Sequence, residues 1–230
     1  MSSAQNAGHN ALLAALPSHD YKRVLRHLKL VSLSFGEILY EPGRPMGRVY
    51  FPVTGLISLL TLVDDHLALE VGMIGREGML GIPLVFGARR SPVRALVQGA
   101  GIALAMPTAV FLRELNRSPL LRDGLLGFAH DLMRQFGQSA ACNRFHPVTA
   151  RLARWLLMTR DRVGTSEFRL THEFLADMLG VRRSSVTQAA SGLQRGKVID
   201  YSRGRIRILK TRELETRACS CYEAMRKVYR

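Results

Sequence analysis

The side chains with the clearest chemical potential lie near the end of the chain. Arg182, Arg183, Ser184, Ser185, Thr187 and Gln188 supply guanidinium, hydroxyl and amide donors over a short stretch that holds no acid. Such groups donate to phosphate oxygens and to the edges of bases. Arginine pairs with two acceptors of guanine, and glutamine pairs with adenine. Bond-breaking chemistry has no comparable set: there is no activated nucleophile, carboxylate pair, metal set or phosphate-cradling Gly loop with a Lys, so no catalytic residue is assigned. "GMIGREGMLG" does not make G-x-G-x-x-G and reads as β-turns.

Presenting those donors requires two short helices. Thr171 is a good N-cap, and Glu173 falls in the first turn, where the helix dipole favours an acid. The capping box is incomplete, because position 174 is Phe. Leu175, Met178 and Leu179 supply a buried face, and Ala176 is small where a second helix crosses. Gly180 can take the left-handed conformation of a sharp turn, and Val181 plugs it. Val186 and Leu193, with Ala189 and Ala190, face inward from the second helix. The alternative is an ordinary helical hairpin; the basic leading edge favours a pair built for a DNA groove. Then "GKVIDYSRGRIRILK" predicts strands Val198–Tyr201 and Ile206–Leu209 around "SRG". Arg203, Arg205 and Arg207 decorate this hairpin, a wing whose arginines meet phosphates.

Charge agrees. The 230 residues carry a formal net charge of +15. Residues 1–146 hold 15 basic and 10 acidic residues, a net of +5; residues 147–230 hold 18 and 8, a net of +10. A basic domain on a milder one points to a polyanion. The longest apolar run, "GAGIALAMPTAVFL", is too short for a bilayer span of about 20 residues and contains Pro107. With no basic leader at the N-terminus, the expectation is a soluble cytoplasmic protein without membrane partners. Cys142, Cys219 and Cys221 form no C-x-x-C pair and read as plain thiols. Cys219 and Cys221, two apart in a helix-like tail, would point to different faces, which disfavours joint ligation. His146, before Pro147, reads as a hinge residue. No metal site is assigned.

Upstream, residues 18–30 predict a short helix with apolar Val24, Leu25 and Leu28. Eleven of the 20 glycines fall between Gly36 and Gly101, punctuating short apolar runs, the texture of a β barrel or sandwich. Ser118-Pro119 marks a helix start running to about Asn143. Leu121, Leu125, Phe128, Leu132 and Phe136 recur near 3.5 on it, as in a helix-to-helix seam. Its symmetry mate in a dimer is the preferred cover, and packing on the β-domain is the alternative.

This order of elements resembles the Crp/Fnr family of bacterial transcription regulators over nearly the whole chain. The resemblance is strongest over "LTHEFLADMLGVRRSSVTQAASGLQRGKVIDYSRGRIRIL" and good over "EILYEPGRPMGRVYFPVTG". It implies an α+β fold: a cyclic-nucleotide-binding-like jelly-roll sensor at 1–117, a dimerisation helix and hinge at 118–146, and a winged helix-turn-helix at 147–230. It further implies a homodimer on double-stranded DNA, with RNA polymerase as a partner.

Two departures qualify it. Cyclic-AMP-binding members carry a Gly-Glu pair and an Arg-Ser or Arg-Thr pair. Here Gly81 is followed by Ile82, while Arg90 and Ser91 match the second pair. Ile82 cannot accept a hydrogen bond from a ribose hydroxyl, so cyclic AMP is not the expected effector and no cofactor is identified. Arg90 would instead pair with an acid or a backbone carbonyl. No cysteine precedes Cys142, against an N-terminal iron–sulfur cluster. The positions matching the family's base readers are Arg183, Ser184 and Gln188, where many members have Arg, Glu and Arg, so the family's half-site does not carry over. The alternative function is a small-molecule-sensing module that acts through protein contacts.

Overall fold

Between Lys29 and Pro107 the described chain is strand and turn apart from one 3-10 turn, as its Gly-punctuated apolar runs demand. The computed structural model describes residues 10–63 and 67–226. Its elements begin with α1 (Ala11–Ala14), α2 (Ser18–Leu25), β1 (Lys29–Leu33), β2 (Ile38–Tyr40), β3 (Arg48–Pro52), β4 (Leu56–Val63) and β5 (Leu67–Ile74). A 3-10 turn (Ile82–Phe86), β6 (Arg94–Gly99), β7 (Gly101–Pro107), α3 (Thr108–Arg117) and α4 (Pro119–Phe145) follow. The remainder is α5 (Val148–Val163), β8 (Glu167–Arg169), α6 (His172–Leu179), α7 (Arg183–Arg195), β9 (Ile199–Ser202), β10 (Arg205–Ile208), α8 (Thr211–Arg217) and α9 (Cys221–Arg226).

The chain divides into two units, residues 1–59 with 73–133 and residues 60–72 with 134–230. One sheet, of order β1-β7-β3, lies in the first unit, and a second has the order β2-β6-β4-β5. Strand β7 is central, antiparallel to β1 and β3, with Leu104 opposite both Leu30 and Phe51. Val49 and Phe51 are fully buried on β3 while Arg48 is exposed, the period-two pattern of a strand with one face on a core. The expected α+β fold, with an N-terminal antiparallel β-region, a long helix and a C-terminal helix-turn-helix, is what the chain adopts.

Helix α2 stops at Leu25, short of the expected residue 30. Val24 and Leu28 are buried as expected, but Leu28 lies past the helix in the turn into β1. Helix α4 starts where Ser118-Pro119 signals it. The Ser118 hydroxyl accepts from the Leu121 N–H at 3.2 Å, and Pro119 opens the helix. Helix α3, just upstream, was not foreseen. Its buried Phe111 and Leu115 continue the apolar run of β7, so the change from strand to helix period is masked.

The stripe on α4 is the principal correction. Leu121, Leu125, Phe128 and Leu132 are buried within the chain itself, and Phe136 is half-buried. Phe128 lies on the backbone of Gly78, where any Cβ would fall 2.0 Å from its ring. The first part of the stripe therefore packs on its own β-unit, the alternative reading, and is not free for a second copy. The exposed stripe is Leu126, His130, Met133 and Gly137, at spacings of four, three and four; Leu126 is 41% and Met133 60% exposed.

The second unit is built on α5. Leu152, Trp155, Leu156 and Met158 are buried, as expected of a support helix. Strands β8, β10 and β9 form a small antiparallel sheet, of which β8 had no sequence signal. The end of β4 from residue 60 and most of β5, residues 67–72, also belong to this unit. Cys219 and Cys221 do not share a helix: α9 begins at Cys221, and Cys219 lies in the turn before it. Both thiols thereby come to Cys142. Among the described residues, no helix is long and apolar enough to cross a membrane.

Candidate nucleic-acid interface

The turn between α6 and α7 closes as the local sequence requires. The Thr171 hydroxyl accepts from the Phe174 N–H at 3.1 Å. At the other end of α6, Gly180 takes φ +58°. The Gly180 N–H reaches the Asp177 carbonyl at 3.2 Å, and the Val181 N–H reaches that of Ala176 at 3.0 Å. This pair of bonds is the Schellman closure, which satisfies carbonyls left free at a helix end. Leu175, Ala176, Met178 and Leu179 are buried under it, and so are Val186, Ala189, Ala190 and Leu193 of α7.

Burial of that face leaves the other to solvent. Arg182, Arg183, Ser184, Thr187 and Gln188 are exposed, and Ser185 is half-buried. Arg182 occupies the N-cap of α7 without a side-chain bond. The Arg183 guanidinium lies 4.0 Å from the Glu173 carboxylate, both well exposed, so water screens the pair. Thr187 is committed locally: its hydroxyl donates to the Arg183 carbonyl at 3.1 Å and lies 2.9 Å from Nδ1 of His172.

Sequence reasoning missed His172. Its ring stacks on Tyr201, centroids 4.4 Å apart and planes 14° apart, which ties α6 to the wing. Its Nε2 is buried without a partner. Burial, and then the charge of Arg183, lower its basicity, so it favours the neutral form. A lone His beside a cap residue carried no pattern to find it by.

Strands β9 and β10 pair in register, Ser202 opposite Arg205 and Ile206 opposite Tyr201. The two residues between them, Arg203 and Gly204, have φ +49° and +73°. Two positive φ values mark the tight turn that matches strand twist, and Arg203 stands exposed at its tip. Each strand is offset by one residue from expectation. Arg205 and Arg207 also point to solvent, each beside an acid: Arg205 lies 3.2 Å from Glu167, and Arg207 3.5 Å from Asp200. These exposed pairs are worth about 0–1 kcal/mol and exchange readily for a phosphate.

The cassette residues of the first unit make bonds of their own. The Arg90 guanidinium donates to the Gly43 carbonyl at 2.7 Å, the second of its two expected partners, an acid or a backbone carbonyl. Ser91 is buried and donates to the Val93 carbonyl at 2.7 Å. Ile82 is buried, and Val49 with the Tyr40 hydroxyl fills the space before Gly81.

Comparison with known proteins agrees with this geometry. A family model described as the Crp-like helix-turn-helix domain matches residues 150–217. The chain is 22% identical over 190 residues to the global nitrogen regulator of Synechococcus elongatus, covering 79% of this chain and 86% of the relative. Its fold is similar to that of FixK2 from Bradyrhizobium japonicum, with a TM-score of 0.70 at 15% identity, covering 84% of this chain and 98% of that one. A CRP-family transcriptional regulator from Thermus thermophilus gives a TM-score of 0.68 at 19% identity, covering 82% and 96%. Residues 150–217 thus carry a Crp-like helix-turn-helix domain, and the fold of the whole chain is similar to that of solved regulators of the Crp/Fnr type.

Proposed function

We propose that the protein regulates transcription as a homodimer that binds a palindromic DNA site in a sequence-specific way. The observation that carries this reading is the exposed donor face of α7, with Arg182, Arg183, Ser184 and Gln188, beside a wing tipped by Arg203. Helix α7 reads the major groove, and Arg183 and Gln188 make the base contacts. Ser185 and Thr187 line the same edge, while Arg203 and Arg205 meet phosphates and set register. Residues 147–230 form the DNA-binding part, 118–146 the dimer helix and hinge, and 1–117 the sensor. The dimer forms along Leu126, His130, Met133 and Gly137, the face of α4 that the chain leaves open. An effector, where one acts, is not cyclic AMP: position 82 offers no acceptor, and Arg90 and Ser91 already serve backbone carbonyls. RNA polymerase is the partner that the resemblance to Crp/Fnr regulators suggests.

Selection of random DNA fragments by the purified protein, with no ligand added, tests the reading. A recovered palindrome with half-sites about one helical turn apart supports it. Unspecific, salt-sensitive binding alone assigns an effector to the sensor. No DNA binding at all overturns the reading in favour of a module acting through protein contacts.

A further inference from the structure

Three thiols and an imidazole converge at the junction of α4 and α5. Cys142 lies in the last turn of α4. His146 follows four residues later, its N–H bonded to the Cys142 carbonyl at 3.1 Å, so both side chains leave one face. Cys219 arrives from the turn between α8 and α9, and Cys221 from the first residue of α9. The Sγ atoms of Cys142 and Cys219 are 3.4 Å apart, and Sγ of Cys221 lies 3.5 Å from Nδ1 of His146. All four donor atoms lie within 4.8 Å of one another. The three thiols are buried, with Ala150 packed against them.

We propose that Cys142, His146, Cys219 and Cys221 bind one zinc ion, a structural site that fastens the α4–α5 junction to the C-terminal segment.

The donor set is the first support. Three sulfurs and one imidazole nitrogen are a recurrent structural zinc set, and soft thiolates with tetrahedral geometry select zinc. Distance is the second. Zinc–sulfur bonds of about 2.3 Å and zinc–nitrogen bonds of about 2.0 Å place tetrahedral ligands about 3.6–3.8 Å apart. The two contacts above fall just inside that spacing, and the whole set needs to move only slightly to close on one ion. A cluster of several irons would need its sulfurs farther apart.

Charge is the third support. Arg151 and Arg154, on α5, are 5% and 6% exposed. Arg151 donates to the Leu179 carbonyl, and Arg154 to the sulfurs of Met158 and Met225 at 3.4 and 3.2 Å. The Nε of each has no partner, and among the described residues no carboxylate pairs with either. A buried guanidinium without an anion is costly. Zinc displaces the three thiol protons to solvent and keeps all three sulfurs anionic, a centre of net charge −1 that would offset the two buried guanidiniums of α5. No electron transfer is involved. Arg151 also donates to the Leu179 carbonyl, at the turn that leads into α7.

The test is metal analysis of the full-length protein, freshly purified under reducing conditions and dialysed without chelator. The expected result is about one zinc per chain, lost in Cys219→Ser and strongly reduced in His146→Asn. Cobalt added to the zinc-stripped wild type should give the intense thiolate-to-cobalt absorption and the visible bands of a tetrahedral site. This readout needs no variant and stands if Cys219→Ser does not fold. Stripping zinc should lower the melting temperature by on the order of 10 °C. Iron in place of zinc, or no bound metal and no cobalt spectrum, overturns the proposal. A Cys142–Cys219 disulfide in the metal-free fresh protein also overturns it, in favour of a redox pair. None of these readouts involves DNA, so the result is independent of how the recognition helix performs.

Discussion

The indole N–H of Trp155 donates to the Glu70 carboxylate across 3.0 Å, joining buried residues 85 positions apart. Trp155 is fully buried on α5, and Glu70 lies on the part of β5 that belongs to the same unit. Glu70→Ala leaves the indole N–H without this acceptor. It should destabilise the second unit by about 1–3 kcal/mol, the cost of stranding a buried donor. Trp155 is the one tryptophan in the chain, so its emission during urea unfolding reports on this unit. An unchanged midpoint would show that the bond adds nothing to stability.

Arg183 and Arg205 should fail differently. Arg183→Ala removes a two-pronged base contact and should cost about 1–3 kcal/mol on the selected site, with discrimination relaxed at one base pair. Arg205→Ala should weaken all sequences alike and reduce the salt slope by about 1. Glu167→Gln, which frees Arg205 from its acid, should tighten unspecific binding. Titrations on selected and scrambled duplexes at several salt concentrations separate the three. A preference that survives Arg183→Ala would reassign the reading residue.

On α4, Met133→Glu should shift the protein from dimer to monomer in sedimentation, with the fold intact by circular dichroism. Phe128→Ala should instead destabilise the chain by about 3–5 kcal/mol, because it empties a packed site. Loss of the dimer with Phe128→Ala at unchanged stability would restore the buried stripe as the interface.

His172 links pH to the wing. Its folded-state pKa lies below the ordinary 6.5, through burial and then the charge of Arg183. Between the lowered value and 6.5 the unfolded chain binds more protons, so stability rises with pH through that window and levels off above it. Acidification below about 6.5 should therefore loosen the His172–Tyr201 stack. Melting temperatures from pH 5 to 8 should show this slope in the wild type and a flatter one in His172→Phe. Equal slopes would assign it to another group.

Local rules were enough for the helix-turn-helix. The Thr171 cap, the Gly180 turn and the inward Leu175, Val186 and Leu193 all follow from contacts a few residues apart, and the order of elements carried the resemblance in fold. Long-range packing decided the rest. Periodicity showed that α4 has an apolar stripe, but whether Phe128 meets a second copy or Gly78 depends on the β-unit folded beside it. Strand β8 is too short for its own pattern and exists because β10 offers it an edge. The thiols of Cys219 and Cys221 point apart in any continuous helix. They meet Cys142 and His146 because α9 starts at Cys221 and the tail folds back across the end of α4, a return that only the tertiary structure fixes.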